Sequence, residues 1–278
     1  MTSANSLPGD GLGSAIMPGH WLLSRLGKRV LRPGGLALTR QMLEQLHIQI
    51  SDDVVEFAPG LGLTARLALT RNPHSYTGIE RDENAARIVR RYLHSPAYRC
   101  LIRSAEATGL PSDRTSVLYG EAMLTMQGER QKAAIVAEAA RLLRPGGRYG
   151  IHELCLVPDE LSKEVRDRID RDLSGTIHVG ARPLTVTEWG ALLTEHGFTV
   201  THCATAPMHL LELSRLIQDE GMGRVLVIAG RLLRDRQARA RVFAMRQVFR
   251  RHGSHLRAVT IVATKTTAAD SPNDRKTD

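Results

Sequence analysis

Between Asp53 and Val157, short apolar runs alternate with stretches of helical period. DVVEFA, SYTGIE, RCLI, SVLYGEA and RYGIHELCLV read as strands, and LTARLALT, NAARIVRRYL and RQKAAIVAEAARLL read as helices. Strands and helices that take turns in this way build a parallel sheet with helices on both faces. The expected fold is therefore α/β, doubly wound. Upstream, HWLLSRLGKRVL and ALTRQMLEQL read as two amphipathic helices broken at Arg32-Pro33-Gly34-Gly35. They would form a helical cap over residues 18–50, ahead of a main domain at 51–265.

Downstream, TVTEWGALLTEHG is a helix with a threonine N-cap and a glycine stop. FTVTHCATAPMHLL is a strand and loop. A long helical stretch from about 223 to 251, interrupted near Gly230, precedes a closing strand, LRAVTIVATK. Residues 156–183 and 205–252 are expected to be insertions on the substrate side. Residues 1–17 and 266–278 are polar and are expected to be disordered.

Composition excludes several classes. With 278 residues, 42% hydrophobic and 24% charged, the chain can bury a core without disulfides. Cys100, Cys155 and Cys203 lie far apart with no CxxC pair, and no histidines pair at ligand spacing, so no metal is expected. The N-terminus lacks the basic start and apolar stretch of a secretory signal. No apolar run approaches the roughly 18 residues of a membrane span. A cytoplasmic protein is expected. The net charge is +9, and eleven arginines but only three acids lie between Arg215 and Arg257. With aromatics at only 4%, this is read as a solvated helix face open to an acidic partner rather than a nucleic-acid groove.

Chemistry concentrates in Val54-Val55-Glu56-Phe57-Ala58-Pro59-Gly60-Leu61-Gly62, a strand, a turn of small residues and a helix start. Such a turn admits a ligand close to the backbone and aims helix N–H groups at it. Gly60-x-Gly62-x-x-Ala65 by itself also fits the dinucleotide fingerprint. Glu56 ahead of the glycines would repel a pyrophosphate, however, and suits a ligand that carries an amino group. Glu80 ends the next strand, 24 residues on, where an acid can take both ribose hydroxyls. Leu142-Leu143-Arg144-Pro145-Gly146-Gly147-Arg148-Tyr149 is a helix stop and turn into a strand.

Taken together, these segments resemble class I S-adenosylmethionine-dependent methyltransferases, most closely the small-molecule branch related to the ubiquinone/menaquinone biosynthesis methyltransferases. The resemblance covers about residues 53–198. It implies a Rossmann-like, seven-stranded, mostly parallel sheet whose last strand is antiparallel. It also implies S-adenosyl-L-methionine as cofactor, held by Glu56, Ala58, Pro59, Gly60, Gly62, Glu80, Arg81, Ser104, Ala105, Glu106 and Glu121. Alanine stands at position 58 where the family has its first glycine. Ser104 stands where the family has the acid for the adenine amino group, which leaves backbone groups or Glu106 to supply that contact. Thr115-Ser116 replaces the family's Phe-Asp at the fourth strand.

The implied reaction is in-line methyl transfer to oxygen, carbon or nitrogen of a small-molecule acceptor, which needs positioning and charge complementarity more than a covalent nucleophile. Candidate catalytic residues are Glu121, after the fourth strand, and two histidines able to act as bases, His152 in the fifth strand and His178 in the insertion. Of His152 and Glu153, strand alternation lets at most one reach the pocket easily. Two rivals stand beside this reading. A nicotinamide-dependent oxidoreductase is opposed by Glu56 and by the lack of an obvious Tyr-x-x-x-Lys. A catalytically inactive methyltransferase-like binding protein would fit the departures at Ala58, Ser104 and Ser116. The oligomeric state, a homodimer included, is left open.

Overall fold

The computed structural model of the chain describes residues 7–267. Eight strands form one sheet: β1 (Asp53–Phe57), β2 (Ser75–Glu80), β3 (Tyr98–Ile102), β4 (Thr115–Glu121), β5 (Leu143–Leu156), the two-residue β6 (Leu184–Thr185), β7 (Phe198–Pro207) and β8 (Leu256–Lys265). The order is β3-β2-β1-β4-β5-β8-β7, with β6 beside β5. All neighbours run parallel except β8, which is antiparallel to both β5 and β7. The expected doubly wound sheet with an antiparallel last strand is present. Strand order reverses between β1 and β4, and an open α/β sheet leaves a crevice at the carboxyl ends of such strands.

Helices α1 (Gly19–Leu26) and α2 (Gly35–Gln45) precede the sheet. Around it lie α3 (Leu63–Leu69), α4 (Glu83–Arg90), α5 (Glu129–Leu142), α6 (Lys163–Ile177) and α7 (Val186–Glu195). Three further helices, α8 (Leu213–Glu220), α9 (Met222–Arg234) and α10 (Arg236–Arg251), separate β7 from β8. Alternation in β1 sends Val55 and Phe57 to one core with Val136, Trp189 and Leu193, and Val54 to another with Tyr76, Tyr119 and Met42. A third core unites α1, α6, α9 and α10 through Leu22, Leu173, Ile228 and Met245. Thr185 and Glu188 close a capping box on α7, and the Trp189 indole N–H donates to the Leu154 carbonyl at 3.0 Å.

Two expectations need correction, and two helices were not among the expected elements. The helical stretch does not break at Gly230: α9 runs through it, since one glycine costs a helix only about 1 kcal/mol. The break is at Asp235, whose extended backbone ends α9 and whose carboxylate caps α10 by accepting the Ala238 N–H at 2.9 Å. Residues 7–17 are packed turns rather than a disordered end. Met17 is fully buried, and the Arg241 guanidinium donates to the carbonyls of Ser14 and Met17. Thr266 likewise bonds Gly197 at 2.9 Å. The same expectation for residues 1–6 and 268–278 falls outside the described residues. Finally, α6 and α8 went unread, although Ser162 caps α6 in the ordinary way.

Candidate functional site

The carboxyl ends of β1 to β4 form the floor of a cavity of about 760 Å³. Ala58, Pro59 and Gly60 follow β1; Glu80, Arg81 and Asp82 close β2; Ser104, Ala105 and Glu106 follow β3; Glu121, Ala122 and Met123 close β4. The roof comes from the N-terminal and inserted helices: His20 and Trp21 of α1, Ile177 of α6, and Met245 and Phe249 of α10. Ligand cavities commonly run from about 300 to 1,000 Å³, so the space holds a nucleoside-sized ligand with a second small molecule.

The turn after β1 is tight. Ala58 has φ of +51° and donates its N–H to the Ile79 carbonyl at 2.8 Å. A left-handed L-residue costs about 1–2 kcal/mol, the reason glycine usually holds such a place. Ala58→Gly is expected to raise stability by up to about 1 kcal/mol, because relief of that strain exceeds glycine's added chain entropy. A thermal midpoint that falls instead would show that the methyl packs better than the strain costs.

Gly60 and Gly62 do different work. A Cβ on Gly60 would meet no protein atom nearer than the Ala58 carbonyl at 3.9 Å, on the cavity wall. A Cβ on Gly62 would come within 3.1 Å of the Tyr92 ring. Gly60 therefore leaves room for a ligand against backbone, while Gly62 lies off the cavity and lets α3 approach Tyr92. Glu80 accepts the Gly60 N–H on one carboxylate oxygen and the Asp82 N–H on the other, both at 2.9 Å. Burial pushes its pKa up, and these backbone donors oppose the shift. It stands on the wall with lone pairs left over for a diol.

Glu56 is elsewhere. It sits inside β1, is 3% exposed, and takes the hydroxyls of Tyr76 and Tyr119 at 2.6 and 2.9 Å. Burial raises its pKa to about 7, against the tyrosine hydrogen bonds. Alternation turns it under α3, away from the cavity surface.

Glu121 centres a polar network. One oxygen accepts from Arg32 and Thr64; the other takes the Thr39 hydroxyl at 2.6 Å and meets His152 Nδ1 at 2.7 Å. Burial would raise its pKa, but the Arg32 charge and the His152 and Thr39 contacts outweigh it and hold the carboxyl at about 2. The network ties the cap to the sheet, since Arg32 lies between α1 and α2 and Thr39 within α2. His152 is fully buried, and its Nε2 donates to the Pro33 carbonyl at 2.6 Å. With both ring nitrogens engaged, it has none to offer a substrate. His178 is the exposed left-handed C-cap of α6, off the cavity wall. The structure thus brings Ala58, Pro59, Gly60, Glu80, Arg81, Ser104, Ala105, Glu106 and Glu121 to one wall, and leaves Glu56, Gly62, His152 and His178 off it.

Three contributors lie outside the expected set of site residues, although the sequence offers Glu153 as the alternative to His152. Glu153 accepts the N–H groups of Met123, Leu124 and Thr125 at 3.0, 2.8 and 3.0 Å, plus the Thr125 hydroxyl at 2.7 Å. It fixes the loop after β4 on the cavity edge; a lone acid inside an apolar strand was the available signal. Arg32 anchors Glu121, and nothing in its loop marks that. His20 lines the roof, where burial lowers its pKa to about 4 against the nearby Asp82 charge, so its ring is neutral at neutral pH.

Comparisons with known proteins bear on this geometry. The methyltransferase-domain family matches residues 54–147. An uncharacterised protein of Haemophilus influenzae is 30% identical over 208 residues, which cover 73% of this chain and 81% of that protein. An O-methyltransferase of Pyrenophora dematioidea is 23% identical over 225 residues, 77% of this chain and 79% of that protein. Among solved structures, phosphoethanolamine N-methyltransferase 2 of Haemonchus contortus, in complex with phosphomonomethylethanolamine and S-adenosylhomocysteine, superposes with a TM-score of 0.66 at 11% identity. The match covers 90% of this chain and 57% of that one, so the chain spans little more than half of it, and the likeness speaks to fold.

Proposed function

We propose that the chain is a class I S-adenosylmethionine-dependent methyltransferase, of the small-molecule branch related to the ubiquinone/menaquinone biosynthesis methyltransferases, and that it methylates its acceptor at oxygen, carbon or nitrogen. The observation that carries the reading is the shared cavity. Its sheet side has the open approach at Gly60 and the acid at Glu80, while its roof is apolar and aromatic, with Trp21, Ile177, Met245 and Phe249.

S-adenosylmethionine supplies the methyl group from its sulfonium centre. The residues present suit it: Glu80 for the ribose hydroxyls, the Ala58-to-Gly60 backbone for close approach, and Ser104 to Glu106 for the adenine end. The buried anion at Glu121 adds negative charge beneath the site, which favours a cationic ligand, although Arg32 neutralises much of it at close range. The apolar roof excludes water, which strengthens each electrostatic contact beneath it. Where the acceptor has a proton to lose, His20 is the histidine on the roof of the cavity, a neutral ring that burial leaves weakly basic with its pKa at about 4.

Calorimetric titration tests the reading. Micromolar binding of S-adenosylmethionine and S-adenosylhomocysteine is expected, with none for NADH. Binding of NADH alone would overturn the assignment in favour of hydride transfer. Glu80→Ala is expected to weaken S-adenosylhomocysteine binding by about 1–3 kcal/mol, through lost charge-assisted hydrogen bonds and a loosened Gly60 turn. Unchanged affinity in a folded variant would remove Glu80 from the site.

A further inference from the structure

Among the described residues, eight of the eleven exposed large apolar side chains fall in two segments, residues 12–16 and 213–243. Scattered singly, such residues need no explanation; gathered, they mark a surface that meets something. On α9, Met222, Leu226, Ala229 and Leu233 recur at helical spacing and are all exposed, with Leu226 at 66% and Leu233 at 74%. The opposite side of the helix buries Ile228 in the core shared with α1 and α10. On the next helix, α10, Phe243 is also exposed, at 61%.

The charge around this stripe is one-sided. The acids of the segment are engaged within the fold, Glu220 with its side chain 1% exposed and Asp235 with its side chain 38% exposed. Asp219 accepts the Leu36 N–H at 3.2 Å, Glu220 accepts those of Arg29 and Val30 at 2.7 and 2.8 Å, and Asp235 caps α10 while taking the Ser14 hydroxyl. Arg234 and Arg236 stay exposed, with no ion-pair or hydrogen-bond partner among the described residues. We propose that α9, with its arginine flank, docks the protein on an anionic membrane surface, lying in the interface with Met222, Leu226 and Leu233 among the acyl chains.

Complementarity selects this occupant. An exposed apolar stripe flanked by arginine on an amphipathic helix is the pattern of an interfacial helix. A second copy would leave the exposed Arg234 and Arg236 without an acidic counterpart from this segment, whereas an anionic surface neutralises them. The remaining chain, residues 1–6 and 268–278, is MTSANS and AADSPNDRKTD, which holds too little apolar area to cover the stripe. No helix among the described residues is long and apolar enough to cross a membrane, so the contact is peripheral. Because α9 packs on α1 and α10, docking sets the cavity roof toward the bilayer.

Co-sedimentation of the full chain with vesicles of phosphatidylcholine, alone or mixed with phosphatidylglycerol, tests this without reference to the acceptor. The chain is expected to sediment with the anionic vesicles only and to be released by high salt. Leu226→Asp with Leu233→Asp is expected to cut partitioning about a hundredfold, and Arg234→Gln with Arg236→Gln about tenfold. Both variants should keep wild-type affinity for S-adenosylhomocysteine, which separates this proposal from the assignment of the site. No sedimentation with anionic vesicles would overturn it. So would a wild-type dimer in solution that Leu226→Asp with Leu233→Asp converts to monomer, which would mark the stripe as a contact between copies.

Discussion

Glu121→Ala is expected to lower the unfolding free energy by about 3–5 kcal/mol, because it strands Arg32 and His152 in the interior without their shared anion. Arg32, Thr39, Thr64 and His152 all converge on this one carboxylate, whose side chain is only 7% exposed. Denaturant unfolding at neutral pH measures the change. A loss below about 1 kcal/mol would mean that water or rotation of Arg32 compensates the charges. Glu121→Gln should retain part of the stability, since the amide oxygen still accepts from Arg32. The wild-type contribution also has a pH window. With its folded pKa held at about 2 against an ordinary 4.5, Glu121 stabilises fully above 4.5 and loses that effect as pH falls toward 2. The variant should lose this acid limb.

Glu56→Gln is expected to act in the opposite direction and raise stability by about 3 kcal/mol at mildly alkaline pH. The Glu56 pKa rises from an ordinary 4.5 to about 7, because burial disfavours its charge. The folded state then holds a proton that the unfolded chain has released. Stability falls as pH climbs from 4.5 through 7, and the loss is complete above that. Glutamine removes the ionisation and leaves an acceptor for the hydroxyls of Tyr76 and Tyr119. Difference curves of unfolding free energy against pH should therefore open between those two values and stay level beyond them. Identical slopes for wild type and variant would show Glu56 to be ionised in the folded state throughout. The affinity for S-adenosylhomocysteine discriminates further. A side chain acting only beneath the turn predicts a small change, and a direct contact predicts a large one.

These two acids show where a linear reading stops. Both lie in strands that are nearly continuous apolar runs, and both were read as ligand contacts because they precede or follow a turn at the sheet edge. Their opposed pKa values come from neighbours distant in sequence. Glu56 faces two tyrosines from β2 and β4, 20 and 63 positions away. Glu121 faces a guanidinium from the cap, 89 positions away. Local spacing carries no trace of either partner. The same holds for His152 and His178. Histidine type and placement near the expected insertion suggested a base, yet tertiary contacts closed both nitrogens of the first and turned the second outward on a helix cap.

What the sequence by itself determined is the order and kind of the elements from β1 to α5 and the turn at Ala58 to Gly60. Those depend on local period and on glycine's freedom at positive φ, which are properties of neighbouring residues. Glu80 belongs here too, since the end of the second strand is a fixed distance from the first turn. The tertiary structure alone decided which chain segments roof the cavity, where the charge of Glu121 is neutralised, that His20 rather than a downstream histidine meets the cavity, and that α9 keeps an apolar stripe outside. Each of these is set by packing between segments far apart in sequence. Burial, and with it every shifted pKa and every exposed patch, is a property of what comes to lie against a side chain.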